Sequence, residues 1–189
     1  VCYEIDTKLK PILEETLKDC SNVTVIYEDF LGVDVKEELK KYSYQNLYVV
    51  ANLPYYITTP IILKLVEDEI PVDKIVVMVQ KEVGDRFKAV PGSKEYSSLS
   101  VFLSYYFDIK KLMEISTNVF LPKPNVDSII VEMKRKTSLA PLTNPTCFFK
   151  LIRDSFKQKR KTLRNNLKDY PLELIESVLK RYGFDLSVR

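Results

Sequence analysis

The sequence contains no histidine among its 189 residues. This absence excludes Ser–His and Cys–His nucleophile pairs, histidine general bases and most zinc centres. Any chemistry must therefore use carboxylates, amides, aromatic side chains or a cofactor. The sequence also lacks an apolar run long enough to span a bilayer, and it does not open on a charged segment followed by an apolar one. These two features predict a cytoplasmic protein with no membrane partner.

Cysteine is scarce, with only Cys2, Cys20 and Cys147 present. Their number is odd, and no two of them have the close spacing of a zinc site or a redox motif. We therefore expect reduced, buried thiols, which are typical of cytosolic proteins.

Positive and negative charges nearly balance over the whole chain, because 29 basic and 26 acidic residues leave a net charge of +3. Residues 153–168 depart from this balance, since seven basic side chains and one acidic side chain give them a net charge of +6. The rest of the chain then carries −3, so the positive charge is local. An apolar content of 46% is enough for one medium domain with a small appendage.

Four apolar runs with the composition of buried strands alternate with helical patterns. The runs cover residues 1–5, 23–27, 47–51 and 75–80. This alternation predicts an α/β fold with a parallel sheet covered on both faces. In such a sheet the functional groups lie beyond the carboxyl ends of the strands. The polar residues at these ends are Glu4, Asp29, Asn52 and Gln80.

The second half of the chain has a different organisation. Its patterns predict helices over 81–87 and 98–107, followed by a hairpin with strands at 112–116 and 126–133 at the sheet edge. Two apolar stripes, over 148–156 and 172–182, predict two more helices. We expect an α/β domain over 1–136, a polar linker over 137–145 and a small all-helical domain over 146–189.

The most informative stretch is Asn52-Leu53-Pro54-Tyr55, at the end of the third apolar run. The exocyclic amine of adenine is a poor nucleophile because its lone pair is delocalised into the ring. The side-chain oxygen of Asn52 and the backbone carbonyl of Leu53 could accept hydrogen bonds from its two N–H groups and leave the lone pair available. Pro54 favours an extended backbone at Leu53, and Tyr55 offers a face for a stacked base. The same four residues also suit an ordinary turn after a strand.

Two carboxylates at neighbouring strand ends suggest a nucleoside cofactor. Glu4 could accept the hydroxyls of a ribose, and Asp29 could accept from an adenine amino group. Acidic residues after strands are also common helix caps, and that alternative stays open for each of them.

Six stretches occur in the order found in the rRNA adenine dimethyltransferases and extend over nearly the whole chain. They are residues 1–6, 28–31, 52–57, 79–83, 96–101 and 120–128. The sequence most resembles the bacterial small-subunit group, since Leu53 stands where the erythromycin-resistance methylases usually carry Ile. The resemblance implies a Rossmann-like class I methyltransferase sheet. It also implies an S-adenosylmethionine-dependent enzyme, without a metal, that dimethylates N6 of two adjacent adenosines of small-subunit rRNA.

The resemblance assigns a role to each matching position. Glu4 and Ile5 would contact the cofactor at its ribose, Asp29 and Phe30 would contact it at its adenine, and Asn52 would lie between cofactor and target. Leu53 and Pro54 would complete the catalytic motif. Tyr55 and Phe120 would enclose the target adenine, although Phe120 could instead be a ring packed beneath a proline-rich turn.

The basic stretch resembles the helical C-terminal domain of the same family. On an amphipathic helix its cations would lie along phosphates without reading bases. The residues expected to contact RNA are Lys81, Arg86, Lys157, Lys159, Arg160, Lys161 and Arg164. A plain solvated face is the alternative. The implied partner is small-subunit rRNA or the immature small ribosomal subunit, bound by a monomer.

The chain departs from the family pattern in its glycines. The family begins with a strand and a Gly-x-Gly-type loop against the methionine portion of the cofactor, whereas the four glycines here are isolated from one another. We therefore expect an N-terminally incomplete fragment with exposed strand edges and weak binding of S-adenosylmethionine. Two other functions remain open. One is a non-catalytic RNA-binding or ribosome-assembly factor on the same scaffold, and the other is a methylase of adenine in large-subunit rRNA or DNA.

Overall fold

A computed structural model describes residues 1–189. The chain contains six strands and eight α-helices. The strands are β1 Cys2–Tyr3, β2 Val25–Ile26, β3 Tyr48–Asn52, β4 Lys74–Gln80, β5 Phe107–Ile115 and β6 Ser128–Arg135. The helices are α1 Lys10–Thr16, α2 Val35–Leu39, α3 Thr58–Glu67, α4 Lys81–Phe87, α5 Ser98–Tyr106, α6 Pro145–Ser155, α7 Leu163–Asn166 and α8 Leu172–Lys180. None of these helices has the length and apolar composition of a membrane span.

The strands form two sheets, so the prediction of one parallel sheet is wrong. Strands β1 and β2 pair in parallel as a separate two-stranded sheet. The larger sheet has the order β3-β4-β6-β5, in which β3 and β4 are parallel and both pairings of β6 are antiparallel. Strand β6 lies between β4 and β5 because the predicted hairpin folds back into the sheet. Strand β5 is therefore at one edge of the sheet, and it begins at Phe107, five residues before the predicted start.

Four strands have one unpaired edge each. Strands β1 and β2 pair only with each other, β3 pairs only with β4, and β5 pairs only with β6. On β3, Tyr48 and Val50 are 59% and 77% exposed, although both residue types favour burial in a strand. One face of β3 is therefore accessible to solvent.

The core lies around β4 and α3. Ile75, Val77 and Val79 alternate along β4 and are at most 1% exposed. Opposite them, the apolar face of α3 buries Ile62 and Leu65. Each such side chain contributes about 1.5–3 kcal/mol on burial. This packing fixes the carboxyl end of β3 and the amino end of α3, between which the tetrapeptide 52–55 lies.

Helix α4 lies unusually close to β6 because of Gly84. A Cβ atom at this position would be 2.3 Å from Cδ1 and 2.6 Å from Cγ1 of Ile129. Ile129 and Val131 are fully buried on β6, so neither side chain has free space to move into. Glycine therefore sets the distance between α4 and the sheet.

The C-terminal helices pack on the sheet domain through aromatic rings. The side chain of Asn144 caps α6 by accepting from the Cys147 N–H at 2.9 Å. The Phe149 ring lies 4.4 Å from that of Phe102 on α5, centroid to centroid. Further along, Leu167 and Leu186 are each 1% exposed and lie outside the main core.

The prediction of an amphipathic helix along the basic stretch is wrong for its central part, residues 156–162. Helix α6 ends at Ser155, and residues 156–162 form turns before α7. The side chain of Asn166 explains this end. Its Nδ2 donates to the Ser155 and Gln158 carbonyls at 2.8 and 3.3 Å, and its Oδ1 accepts from the Gln158 N–H at 3.0 Å. These bonds satisfy groups that a continuing helix would pair internally.

The cysteines are free, as predicted, but the prediction that they are buried is wrong, since all three are exposed. Cys2 lies on the short β1 strand, and Cys20 lies in the turn between α1 and β2. Cys147 lies in the first turn of α6, whose inward face is formed instead by Phe149. A small apolar residue is easily displaced from the core when larger neighbours fill it.

Candidate active site

The two predicted hydrogen-bond acceptors of the tetrapeptide are unengaged. Asn52 is the last residue of β3 and is exposed, and its side chain takes part in no hydrogen bond of the structure. The Leu53 side chain is buried at 8% exposure, which holds its backbone in place, and its carbonyl accepts no hydrogen bond. Both oxygens can therefore accept from a planar amino group.

The two residues that follow form a turn that leads into α3. The Pro54 carbonyl accepts from the Ile57 N–H and from the Thr58 hydroxyl, each at 3.1 Å. The Tyr55 hydroxyl forms a 2.8 Å hydrogen bond with Ser128 Oγ at the start of β6. The tetrapeptide thus forms a turn after a strand, and the bonds of this turn hold Asn52 and Tyr55 in place.

Phe120 lies in a separate segment that ends close to the same strand. It follows the short 3-10 turn Thr117–Val119, and its N–H donates to the Thr117 carbonyl at 3.3 Å. The Thr117 N–H in turn donates to Asp127 Oδ1 at 3.1 Å. The Tyr55 hydroxyl is bonded to Ser128, and the turn that precedes Phe120 is bonded to the neighbouring residue Asp127, whereas the two rings make no contact with each other.

The sequence patterns predicted no role for Asp127 or Ser128. Both lie within the stretch 120–128 that carries the resemblance, and Ser128 is a single polar residue opening the apolar run of β6. Ser128 is also fully buried. A small hydroxyl at the start of a buried strand was the signal available in the sequence.

The carboxylates of Glu4 and Asp29 each accept one local backbone hydrogen bond, and Asp29 also caps the 3-10 turn Phe30–Gly32. Glu4 Oε1 accepts from the Asp6 N–H at 2.8 Å, and Asp29 Oδ1 accepts from the Leu31 N–H at 3.0 Å. Each carboxylate has its second oxygen unpaired, so the local hydrogen bond and a bond to a ligand are compatible. Their neighbours differ, since Ile5 is 63% exposed whereas the Phe30 ring packs on Tyr3 at 5.1 Å. This pair of acceptors fits the hydroxyls and amino group of a nucleoside.

The expected RNA-contacting residues divide into two groups. Lys81 pairs with Glu114 at 3.4 Å, Arg86 with Glu82 at 3.1 Å and Arg164 with Glu176 at 3.7 Å. Lys111 and then Lys81 hold the pKa of Glu114 below its ordinary value. The remaining four, Lys157, Lys159, Arg160 and Lys161, form no ion pair and lie exposed in the turns after α6.

A cleft of about 990 Å³ brings two of these residues together. Arg86 from α4 lines one wall, and Lys159 from the turns after α6 lines the other. Lys159 Nζ donates to the Lys94 carbonyl at 2.6 Å, which holds the two walls together. Between them the Tyr96 and Phe156 rings meet edge to face at 5.5 Å, and burial raises the pKa of the Tyr96 hydroxyl. The cleft therefore combines cations and aromatic surface with the carboxylates of Glu67, Glu82 and Glu95.

Comparison with known proteins identifies the family. The family model described as "Ribosomal RNA adenine dimethylase" matches residues 1–183, nearly the whole chain. The chain belongs to the ribosomal RNA adenine dimethylase family. Among curated members, proteins named "Ribosomal RNA small subunit methyltransferase A" from Bacillus mycoides (strain KBAB4) and Bacillus cereus (strain B4264) are 49% and 48% identical over 98% of the chain. The chain spans 66% of the length of each of these relatives.

Solved structures show the same fold. A dimethyladenosine transferase from Plasmodium falciparum superposes with a TM-score of 0.72 at 27% identity, covering 95% of this chain and 63% of that one. The 23S rRNA methyltransferase ErmE also gives a TM-score of 0.72, at 22% identity, covering 99% of this chain and 73% of that one. The dimethylase chain thus has the Rossmann-like class I methyltransferase fold with additional C-terminal helices.

Proposed function

We propose that the chain forms the catalytic part of an S-adenosylmethionine-dependent enzyme that dimethylates adenine N6 on two adjacent adenosines of small-subunit rRNA. The observation that carries this proposal is the pair of unengaged acceptors, Asn52 Oδ1 and the Leu53 carbonyl, at the exposed end of β3. The names of the Bacillus relatives support the choice of the small ribosomal subunit. The enzyme would act in the cytoplasm, as a monomer, on rRNA or the immature subunit.

The chemistry follows from hydrogen bonding at the target amine. When Asn52 and Leu53 accept hydrogen bonds from both N6–H groups, they favour a pyramidal nitrogen, whose lone pair is then available for attack. Tyr55 and Phe120 would contact the two faces of an adenine taken out of its stack. No general base is needed before attack, because the proton can leave the nitrogen after the new N–C bond forms.

The cofactor would be held at its nucleoside end by residues of this chain. The free oxygen of Glu4 would accept from the ribose hydroxyls, and that of Asp29 would accept from the adenine amine. Ile5 and Phe30 would provide apolar contact beside these carboxylates. When bound, S-adenosylmethionine supplies an electrophilic methyl group on its sulfonium.

The RNA would be held by phosphate contacts on both sides of the cleft. Arg86 and Lys159 line its opposite walls, and Lys157, Arg160 and Lys161 extend the same positive charge into solvent. Contacts of this kind position RNA without selecting its sequence. Lys81, Arg86 and Arg164 would contribute less than the unpaired cations, because each has a carboxylate partner within 4 Å.

The substitution Asn52→Ala tests the proposal in the protein expressed from its complete gene. We expect methyl transfer to unmethylated small-subunit rRNA to be lost, because one of the two acceptors is removed, while RNA affinity stays within about twofold, since phosphate contacts dominate it. Asn46→Ala, at an exposed asparagine before β3, is the matched control and should retain activity. Methyl transfer by Asn52→Ala at the wild-type rate would show that the proposed role of this amide is wrong.

A further inference from the structure

Asp127 and Ser128, at the start of β6, connect three segments that are distant in sequence. Ser128 Oγ bonds the Tyr55 hydroxyl at 2.8 Å across 73 residues of sequence. Asp127 Oδ1 accepts from the Thr117 N–H at 3.1 Å, and the Asp127 carbonyl accepts from the Lys81 N–H at 2.9 Å. One dipeptide therefore joins the tetrapeptide turn, the turn that carries Phe120 and the junction between β4 and α4.

The position of this dipeptide is itself fixed. Ser128 is fully buried and pairs in register with Gln80 on β4 and with Ile115 on β5. Strand β6 has a partner on each side, so its first residue cannot shift without disturbing both ladders. The dipeptide is a rigid reference point for the three segments that it contacts.

Each of these bonds controls a group of the proposed reaction. The Tyr55 hydroxyl lies at the far end of its ring, so a bond from Ser128 fixes where the ring points. The bond from Asp127 to Thr117 fixes the start of the turn that Phe120 ends. Rings that enclose a base must be held to a fraction of an ångström for the amine to meet its methyl donor.

We propose that Ser128 and Asp127 are positioning residues that hold the Tyr55 and Phe120 rings at a fixed separation for the target adenine. This inference rests on the proposed function. Neither residue touches the base, because Ser128 is buried and acts through the Tyr55 hydroxyl, while Asp127 acts through the Thr117 backbone. A merely structural role would affect stability alone.

The first test uses Ser128→Ala, Tyr55→Phe and the double variant in the protein expressed from its complete gene. Each single substitution removes the same hydrogen bond and should lower kcat about tenfold, because a misplaced ring costs rate rather than cofactor affinity. KM for S-adenosylmethionine should not change, since Glu4 is untouched. The double variant should be no slower than the slower single variant, because both changes act on one bond. Ser104→Ala, at an exposed serine of α5, is the matched control.

The second test uses conservative rescue at Asp127. Asp127→Asn retains the oxygen that accepts from Thr117 and should keep kcat within about threefold, whereas Asp127→Ala should lower it about tenfold. Wild-type kcat in Ser128→Ala, or losses that multiply in the double variant, would overturn the proposal. So would equal activities of the two Asp127 variants.

Fluorine NMR of protein labelled with meta-fluorotyrosine separates this inference from the proposed function. The Tyr55 resonance, assigned by its loss in Tyr55→Phe, should shift in Ser128→Ala and remain in place in Ser104→Ala. An unmoved resonance overturns the positioning role whatever the substrate. A wild-type protein that transfers no methyl group to rRNA, but shows the shifted resonance in Ser128→Ala, overturns only the proposed function.

Discussion

Replacing Gly84 by alanine should destabilise the protein even though alanine is the better helix former. Gly84 lies within α4, where alanine would ordinarily add about 1 kcal/mol of stability. Its new Cβ would lie 2.3 Å from Ile129 Cδ1 and 3.0 Å from Val131 Cγ2. Ordinary carbon contacts are about 3.5–4.0 Å, so α4 or the Ile129 side chain must move by about 1 Å.

The size of the effect follows from how firmly the neighbours are held. Ile129 and Val131 are fully buried on a strand with partners on both sides, so the overpacking cost should lie near the upper end of the usual range of about 1–3 kcal/mol. After subtraction of the helix gain, we expect a net loss of about 1–2 kcal/mol. With a urea slope of about 2 kcal/mol per molar, the unfolding midpoint should fall by about 0.5–1 M.

Urea unfolding of the 189-residue chain, followed by far-ultraviolet circular dichroism, measures this shift. Gly32→Ala is the matched control, because a Cβ at Gly32 meets no atom within 4 Å. Adding Ile129→Val to Gly84→Ala removes the nearest atom and should recover part of the loss. A midpoint for Gly84→Ala equal to or above the wild-type value would refute the packing account of α4.

Two further predictions concern the end of α6 and the cofactor. Asn166→Ala should lower the free energy of unfolding by about 1–3 kcal/mol in the same urea assay, because it leaves partners of three hydrogen bonds unsatisfied at the end of α6. Asn165→Ala, which removes a single exposed bond to Thr162, should change it by less than about 0.5 kcal/mol, and equal effects would contradict the role of Asn166. The 189-residue chain should bind S-adenosylmethionine weakly or not at all in titration calorimetry, because its residues are expected to contact only the nucleoside end. A micromolar dissociation constant would contradict that expectation.

Much of the fold could be predicted from local patterns. The continuous apolar run over 75–80 predicted β4, and the helix expected over 81–87 matches α4. The position of β6 between β4 and β5 could not be predicted in the same way. It depends on pairing between strands more than 40 residues apart, and periodicity carries no information about which strands pair.

The candidate site shows the same division. Asn52, Leu53 and Tyr55 lie within one tetrapeptide, so their chemistry could be inferred from adjacent residue types. The Ser128 bond to Tyr55 and the cleft that joins Arg86 to Lys159 arise only from the tertiary fold. Helix propensity also misled at the basic stretch, because Lys and Arg favour helices locally but the Asn166 side chain ends α6 before them.

Analysis of modified nucleosides tests the central claim most directly. The protein expressed from its complete gene would be incubated with S-adenosylmethionine and, separately, with unmethylated small subunits, large-subunit rRNA and DNA. Each product would be digested to nucleosides, which identify the modification, and to oligonucleotides, which locate it, for mass spectrometry. We predict N6,N6-dimethyladenosine from the small-subunit rRNA alone, at two adjacent positions. Dimethyladenosine in large-subunit rRNA, methylated adenine in DNA, or no modified adenosine in any of the three would contradict the account.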